Sequence, residues 1–122
     1  MPTRVVPMVN VPDVKATVAW YESIGFSVRA THEEPGCPMD WASLLLGNSE
    51  VMLSAGGKPA SSPRRDVDLY VHVDDVDQRY EAITKKAEVV EAPHSTEYGM
   101  REFIIKDLNG FWLTFGQSLS NQ

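Results

Sequence analysis

Val9-Asn10-Val11-Pro12-Asp13-Val14 and Val71-His72-Val73-Asp74-Asp75-Val76 stand 62 residues apart and agree at Val9/Val71, Val11/Val73, Asp13/Asp75 and Val14/Val76. In each, alternating valines mark a short strand and the following aspartate marks a helix N-cap. Beyond the caps the periodicity turns helical. The first helix, about Asp13 to Ile24, aligns Val14, Val18, Tyr21 and Ile24 near one stripe, with Gly25 as its stop signal. The second, about Asp75 to Lys86, stacks Val76, Tyr80 and Ile83, and its last turn would end in Lys85 and Lys86, where the helix dipole favours cations.

Short β-prone runs follow each helix: Phe26 to Ala30, Trp41 to Leu46 and Glu50 to Leu53, then Glu88 to Val90, Arg101 to Lys106 and Phe111 to Phe115. Gly47-Asn48-Ser49 and Leu108-Asn109-Gly110 fall at matching places and read as hairpin turns. The chain is therefore α+β, with two tandem βαβββ modules at residues 1–57 and 64–122. A turn-forming, apolar-poor linker at 55–63 joins them, with the boundary near residue 60.

At 122 residues and 43% hydrophobic content there is enough apolar material for one ordinary globular core. Eleven Lys and Arg against 17 Asp and Glu give a net charge of -6 without a basic cluster, which argues against nucleic acid as a partner. No apolar run approaches the ~20 residues that span a bilayer, so no membrane partner is expected. The single Cys37 and the absence of an apolar stretch after Met1 predict a cytoplasmic setting.

Strand alternation divides each strand into two faces. One set is uniformly apolar and should pack under the helices: Val5, Val9 and Val11; Val67, Leu69, Val71 and Val73; Phe111, Leu113 and Phe115. The opposite set mixes aromatic, polar and charged groups: Val6, Met8 and Asn10; Glu50, Met52 and Ser54; Asp68, Tyr70 and His72; Trp112, Thr114 and Gly116. Such a mixture suits either a small-molecule cavity or a wet surface.

The blocks Val11-Pro-Asp-Val14 with Trp20-Tyr21-Glu-Ser-Ile-Gly-Phe26, Tyr70-Val-His-Val-Asp-Asp-Val76, and Tyr98-Gly-Met-Arg-Glu-Phe103 with Asp107-Leu-Asn-Gly110 resemble the vicinal oxygen chelate superfamily of glyoxalases, bleomycin-resistance proteins and dioxygenases. They are most similar to its bleomycin-resistance-like branch. The resemblance covers nearly the whole chain as a single glyoxalase-like domain. It implies a U-shaped, mostly antiparallel sheet around a cavity and assembly as a homodimer. Metal-dependent members take His, Gln or Glu ligands from the first and last strand of each module, and these positions fall here on Val6, Met52, Asp68 and Thr114. Valine supplies no donor, methionine a soft thioether and threonine a neutral hydroxyl, so no metal and no cofactor is expected.

What remains is a ligand-binding set: Trp41, Glu50, Met52, Asp68, Tyr70, His72, Arg101, Trp112 and Thr114. His72 is either a base or donor beside a ligand, or a histidine paired with an Asp or the backbone. Glu50 reads best as a solvated strand end next to its turn, and Arg101 with Glu102 as either a structural ion pair or one charge offered to a ligand, with a structural role favoured for Glu102. Trp41 and Trp112 serve either stacking on a ligand or ordinary packing. His32 and His94 fall in predicted loops, and no zinc spacing joins them to Cys37. No nucleophile stands beside a base, so no catalytic residue is named. The expected function is metal-independent binding or sequestration of a small organic molecule. The alternative is a glyoxalase- or dioxygenase-type enzyme drawing non-standard ligands from Asp68, His72 and Glu50.

Overall fold

The computed structural model describes residues 3–61 and 63–119. The chain divides into two compact units, Met1–Pro59 and Ala60–Gln122. The first unit contains β1 (Met8–Val11), α1 (Val14–Ser23), β2 (Ser27–His32), β3 (Trp41–Leu46) and β4 (Ser49–Ala55). The second repeats them as β5 (Asp68–His72), α2 (Val76–Ile83), β6 (Glu88–Ser95), β7 (Met100–Lys106) and β8 (Trp112–Ser118). Each unit builds one four-stranded mixed sheet, ordered β1-β4-β3-β2 and β5-β8-β7-β6. In both, the first strand runs parallel to the last and the other neighbours are antiparallel. The helix between first and second strand supplies the crossover that parallel pairing requires.

Both N-caps are the repeated aspartates. The Asp13 side chain accepts from the Ala16 N–H at 2.9 Å and the Asp75 side chain from the Gln78 N–H at 3.1 Å, so each satisfies a donor the helix leaves open. Gly25, at φ 116°, carries the chain out of α1 through a conformation that costs other residues strain. The second helix is shorter than the sequence predicts. It ends at Ile83 with Thr84 as C-cap, and Lys86 N–H closes a tighter turn onto the Ile83 carbonyl at 2.9 Å. Lys85 and Lys86 therefore lie past the helix and not in its last turn.

The strands differ from expectation mostly at their ends. β6 runs on through Pro93 to Ser95, so His94 is a strand residue and not a loop residue. Pro93 is tolerated because β6 is an edge strand, with register shifts between Val89 and His94. His32 likewise closes β2, paired with Trp41, where the sequence suggested a loop. At the other extreme, Val5 is 91% exposed and Val67 53% exposed, because β1 and β5 begin only at Met8 and Asp68. These two valines do not join the apolar set beneath the helices.

The remaining alternation holds. Val11, Ala42, Leu44, Val51 and Leu53 form the buried side of the first sheet, with Val14, Val18 and Tyr21 of α1 also buried. In the second, Phe103, Ile105, Leu113 and Phe115 are each fully buried, and Tyr80 of α2 meets Phe103 edge-on at 5.2 Å. Each sheet thus spends one face on its helix and leaves the other for a different use. Among the described residues no helix is long and apolar enough to cross a membrane.

Candidate functional site

On the second sheet, the face away from α2 carries Asp68, Tyr70 and His72 from β5, Trp112, Thr114 and Gly116 from β8, and Glu102 and Ile104 from β7. Its centre is Glu102, a buried carboxylate that accepts from the Tyr70 hydroxyl at 2.6 Å and from the Tyr98 hydroxyl at 2.7 Å. Tyr70 sits on β5, two strands away from Glu102, and reaches it by crossing β8 at Gly116. A Cβ there would lie 2.0 Å from the Tyr70 hydroxyl oxygen, so the missing side chain is what lets the ring pass. Burial, and then the bond to Glu102, hold the Tyr70 phenol well above its ordinary value. The bond to Glu102 comes first in raising that of Tyr98. Both phenols are protonated donors at neutral pH.

Around this centre the face is aromatic and half-open. The Tyr70 and His72 rings lie 5.0 Å apart at 53°, and both residues are exposed. Arg64 stands 4.1 Å over the Trp112 ring and pairs with Asp68, which ties the outer end of β5 to β8. The Trp112 indole N–H is buried and meets no acceptor among the described residues. Thr114 is buried between Tyr70 and Ile104 in register.

The equivalent face of the first sheet holds Trp41, Glu50 and Met52. Glu50 corrects the sequence reading: its side chain is 2% exposed, not a solvated strand end. Ser43 Oγ donates to it at 2.5 Å, Arg29 Nε approaches at 3.2 Å, and Arg4 pairs with its other oxygen. The Ser43 bond, followed by that of Arg4, holds the Glu50 carboxyl below its ordinary value of 4.5, against the opposing effect of burial. A carboxylate whose folded value is lowered contributes stability that is complete above pH 4.5 and lost as pH falls through the folded value. Glu50→Gln should therefore lower stability above pH 4.5 and flatten the acid side of the stability curve, leaving the slope of its alkaline side unchanged. Denaturant titrations at a series of pH values check this, and an unchanged acid slope refutes it. Trp41 is half-buried with the Arg29 guanidinium 5.9 Å from its ring centre, and Met52 lies in register between Met8 and Ser43.

Arg101 does not share a face with the other candidates of the second sheet. Neighbours on a strand point to opposite sides, so Arg101 lies on the helix side while Glu102 lies on the other. Its partner is Asp77 of α2, contacted through Nε at 3.0 Å and Nη2 at 3.0 Å. The Arg101–Glu102 ion pair, one of the two readings the sequence offers, is not formed, since Arg101 pairs with Asp77. His32 contacts Asp40 at 2.8 Å, His94 lies 3.6 Å from Glu91, and Cys37 is exposed.

The residues at the family's metal-ligand positions do not fit a metal. Val6 offers no donor atom, Met52 a thioether, Thr114 a buried neutral hydroxyl, and the Asp68 carboxylate is engaged by Arg64. Among the described residues no three His, Cys, Asp or Glu side chains group to hold an ion. Tyr98, Ser43, Arg4 and Arg29 were not singled out by the sequence, since each acts across strands or from irregular chain. Gly116, an isolated glycine inside an apolar strand, is itself the signal of a close approach.

The sequence pattern of the Glyoxalase/Bleomycin resistance protein/Dioxygenase superfamily matches residues 4–115. No curated protein matches the chain. Among solved structures, TioX from Micromonospora sp. ML1 is similar with a TM-score of 0.75 at 22% identity, over 98% of this chain and 99% of that one. A bleomycin-binding protein complexed with bleomycin gives 0.73 at 20% identity, over 96% and 99% of the two chains. The bleomycin resistance determinant encoded on the transposon Tn5 gives 0.73 at 20% identity, over 96% and 98%. At these identities the likeness is one of fold, and the family match extends over nearly the full chain. The protein belongs to the Glyoxalase/Bleomycin resistance protein/Dioxygenase superfamily.

Proposed function

We propose that this protein binds and sequesters a small organic molecule without a metal ion, as a cytoplasmic homodimer. The observation that carries the reading is the face of the second sheet turned away from α2. Tyr70, His72 and Trp112 give it aromatic surface, and Glu102 and the Trp112 N–H give it fixed polar atoms. Apolar walls with a few oriented polar groups are what a small-molecule site requires, and sequestration requires no reacting group beyond them. Asp68 and Thr114 belong to the proposed binding set on this face, and Trp41, Glu50 and Met52 are the proposed binding residues on the corresponding face of the first unit. Similarity in fold to a bleomycin-binding protein lends support, and the acidic net charge of -6 favours approach of cationic or zwitterionic molecules.

Thermal-shift titration with bleomycin and a panel of cationic aromatic metabolites, with and without EDTA, tests this. A ligand present at about 100 times its dissociation constant stabilises the folded state by ~2.7 kcal/mol, a shift of several degrees for a chain of this size. The expected result is a shift that EDTA leaves unchanged. Silence across bleomycin and the panel, or a shift abolished by EDTA, refutes the reading.

A further inference from the structure

We infer that Glu102 is the anchor for a cationic group on the bound molecule, and that the ligand is a flat aromatic guanidinium or amidinium. This rests on the binding function proposed above and names its ligand class.

The inference comes from comparing two buried carboxylates. Glu50 and Glu102 both lie on the helix-free face of their sheets, at 9% and 5% exposure. Glu50 is met by two guanidinium groups and a serine hydroxyl, so its charge is neutralised from within the protein. Glu102 is met, among the described residues, by two phenols alone. Among the described residues no Lys, Arg or His forms an ion pair with it, and His94, its register partner on β6, lies by Glu91 instead. Neutral hydrogen bonds satisfy lone pairs but do not cancel charge. A carboxylate withdrawn from water without a counter-charge is unfavourable, and such arrangements concentrate where a protein meets its ligand.

The geometry says which cation fits. Each Glu102 oxygen holds one phenol, Oε2 that of Tyr70 and Oε1 that of Tyr98; Oε2 retains a second acceptor site, and Oε1 opens to a ligand donor where the Tyr98 hydroxyl gives way. Two parallel acceptors match the planar N–H fork of a guanidinium or amidinium. Tyr98 is 69% exposed in the turn between β6 and β7. Its hydroxyl occupies the place a ligand donor would take on Oε1. Beside it, the exposed Tyr70 and His72 rings, 5.0 Å apart, offer faces to an aromatic cation. A neutral aromatic molecule would gain the ring contacts and leave the Glu102 charge uncompensated.

The test uses phenylguanidinium and its neutral isostere phenylurea as probes, titrated into the full-length protein by NMR. The wild type should prefer phenylguanidinium by about tenfold or more, the size of a charged hydrogen bond. Glu102→Gln should abolish the preference while keeping phenylurea binding. Tyr98→Phe, a change at an exposed residue that should leave folding intact, should tighten phenylguanidinium because a competing donor is gone. Equal binding of both probes by the wild type, a preference surviving in Glu102→Gln, or weaker phenylguanidinium binding by Tyr98→Phe overturns the inference. If bleomycin or the panel binds while phenylguanidinium has no advantage, the cation anchor alone fails. If nothing binds, both readings fail.

Discussion

Phe103→Ala should lower the free energy of unfolding by about 3–5 kcal/mol, the range for removing a buried aromatic ring from a core. Phe103 has no exposed surface and lies at the junction of three elements. It pairs directly with Phe115 across β7 and β8, the two rings stacked at 4.8 Å and 7°, and Tyr80 brings α2 onto its edge at 5.2 Å. Truncation removes contacts to the neighbouring strand and the helix at once. The flanking Ile105, Leu113 and Phe115 belong to paired strands that cannot close the gap without losing ladder hydrogen bonds. Urea denaturation of the variant should show a lower midpoint with an unchanged slope. A loss below about 1 kcal/mol would mean that the site relaxes, and that the helix is not held through this pair.

This core was legible before the structure because it depends on local rules. Two Val-x-Val-x-Asp-Val segments specify strand, cap and helix within a few residues, and alternation then separates Leu113 and Phe115 from Thr114, though the sequence reading assigns Phe103 to no face. The same rule, carried through, also places Arg101 opposite Glu102, since adjacent strand residues cannot share a face. What was not legible is what each buried acid meets. Glu50 is covered by Arg4 and Arg29, 46 and 21 residues away, and Glu102 is met by Tyr70, 32 residues away. Parity says that Glu50 shares a face with Met52 but not that an arginine folds over it. Strand ends were misjudged for a related reason. Pro93 reads as a terminator in isolation, and only its position on an edge strand, next to bulges, lets β6 continue to Ser95.

Gly116→Ala tests the passage by which Tyr70 reaches Glu102. In an ordinary strand this change is neutral or favourable, because alanine loses less backbone entropy on folding and Gly116 does not adopt positive φ. Here the opposite sign is expected, a loss of about 1–3 kcal/mol from overpacking. The new Cβ would fall 2.0, 2.6 and 2.9 Å from the hydroxyl oxygen, Cζ and Cε1 of Tyr70, so the ring as a whole must swing away and not merely its tip. Once displaced, Tyr70 no longer donates to Glu102, and both causes of its raised phenol value, burial first and the Glu102 bond second, are lost together. Its titration, followed by ultraviolet absorbance against a Tyr70→Phe reference, should move down towards the ordinary value of 10.0. A double-mutant cycle isolates the cause. In a Tyr70→Ala background Gly116→Ala should cost nothing or stabilise, whereas a penalty that persists without the ring would place the obstacle elsewhere and remove Gly116 as the passage by which Tyr70 reaches Glu102.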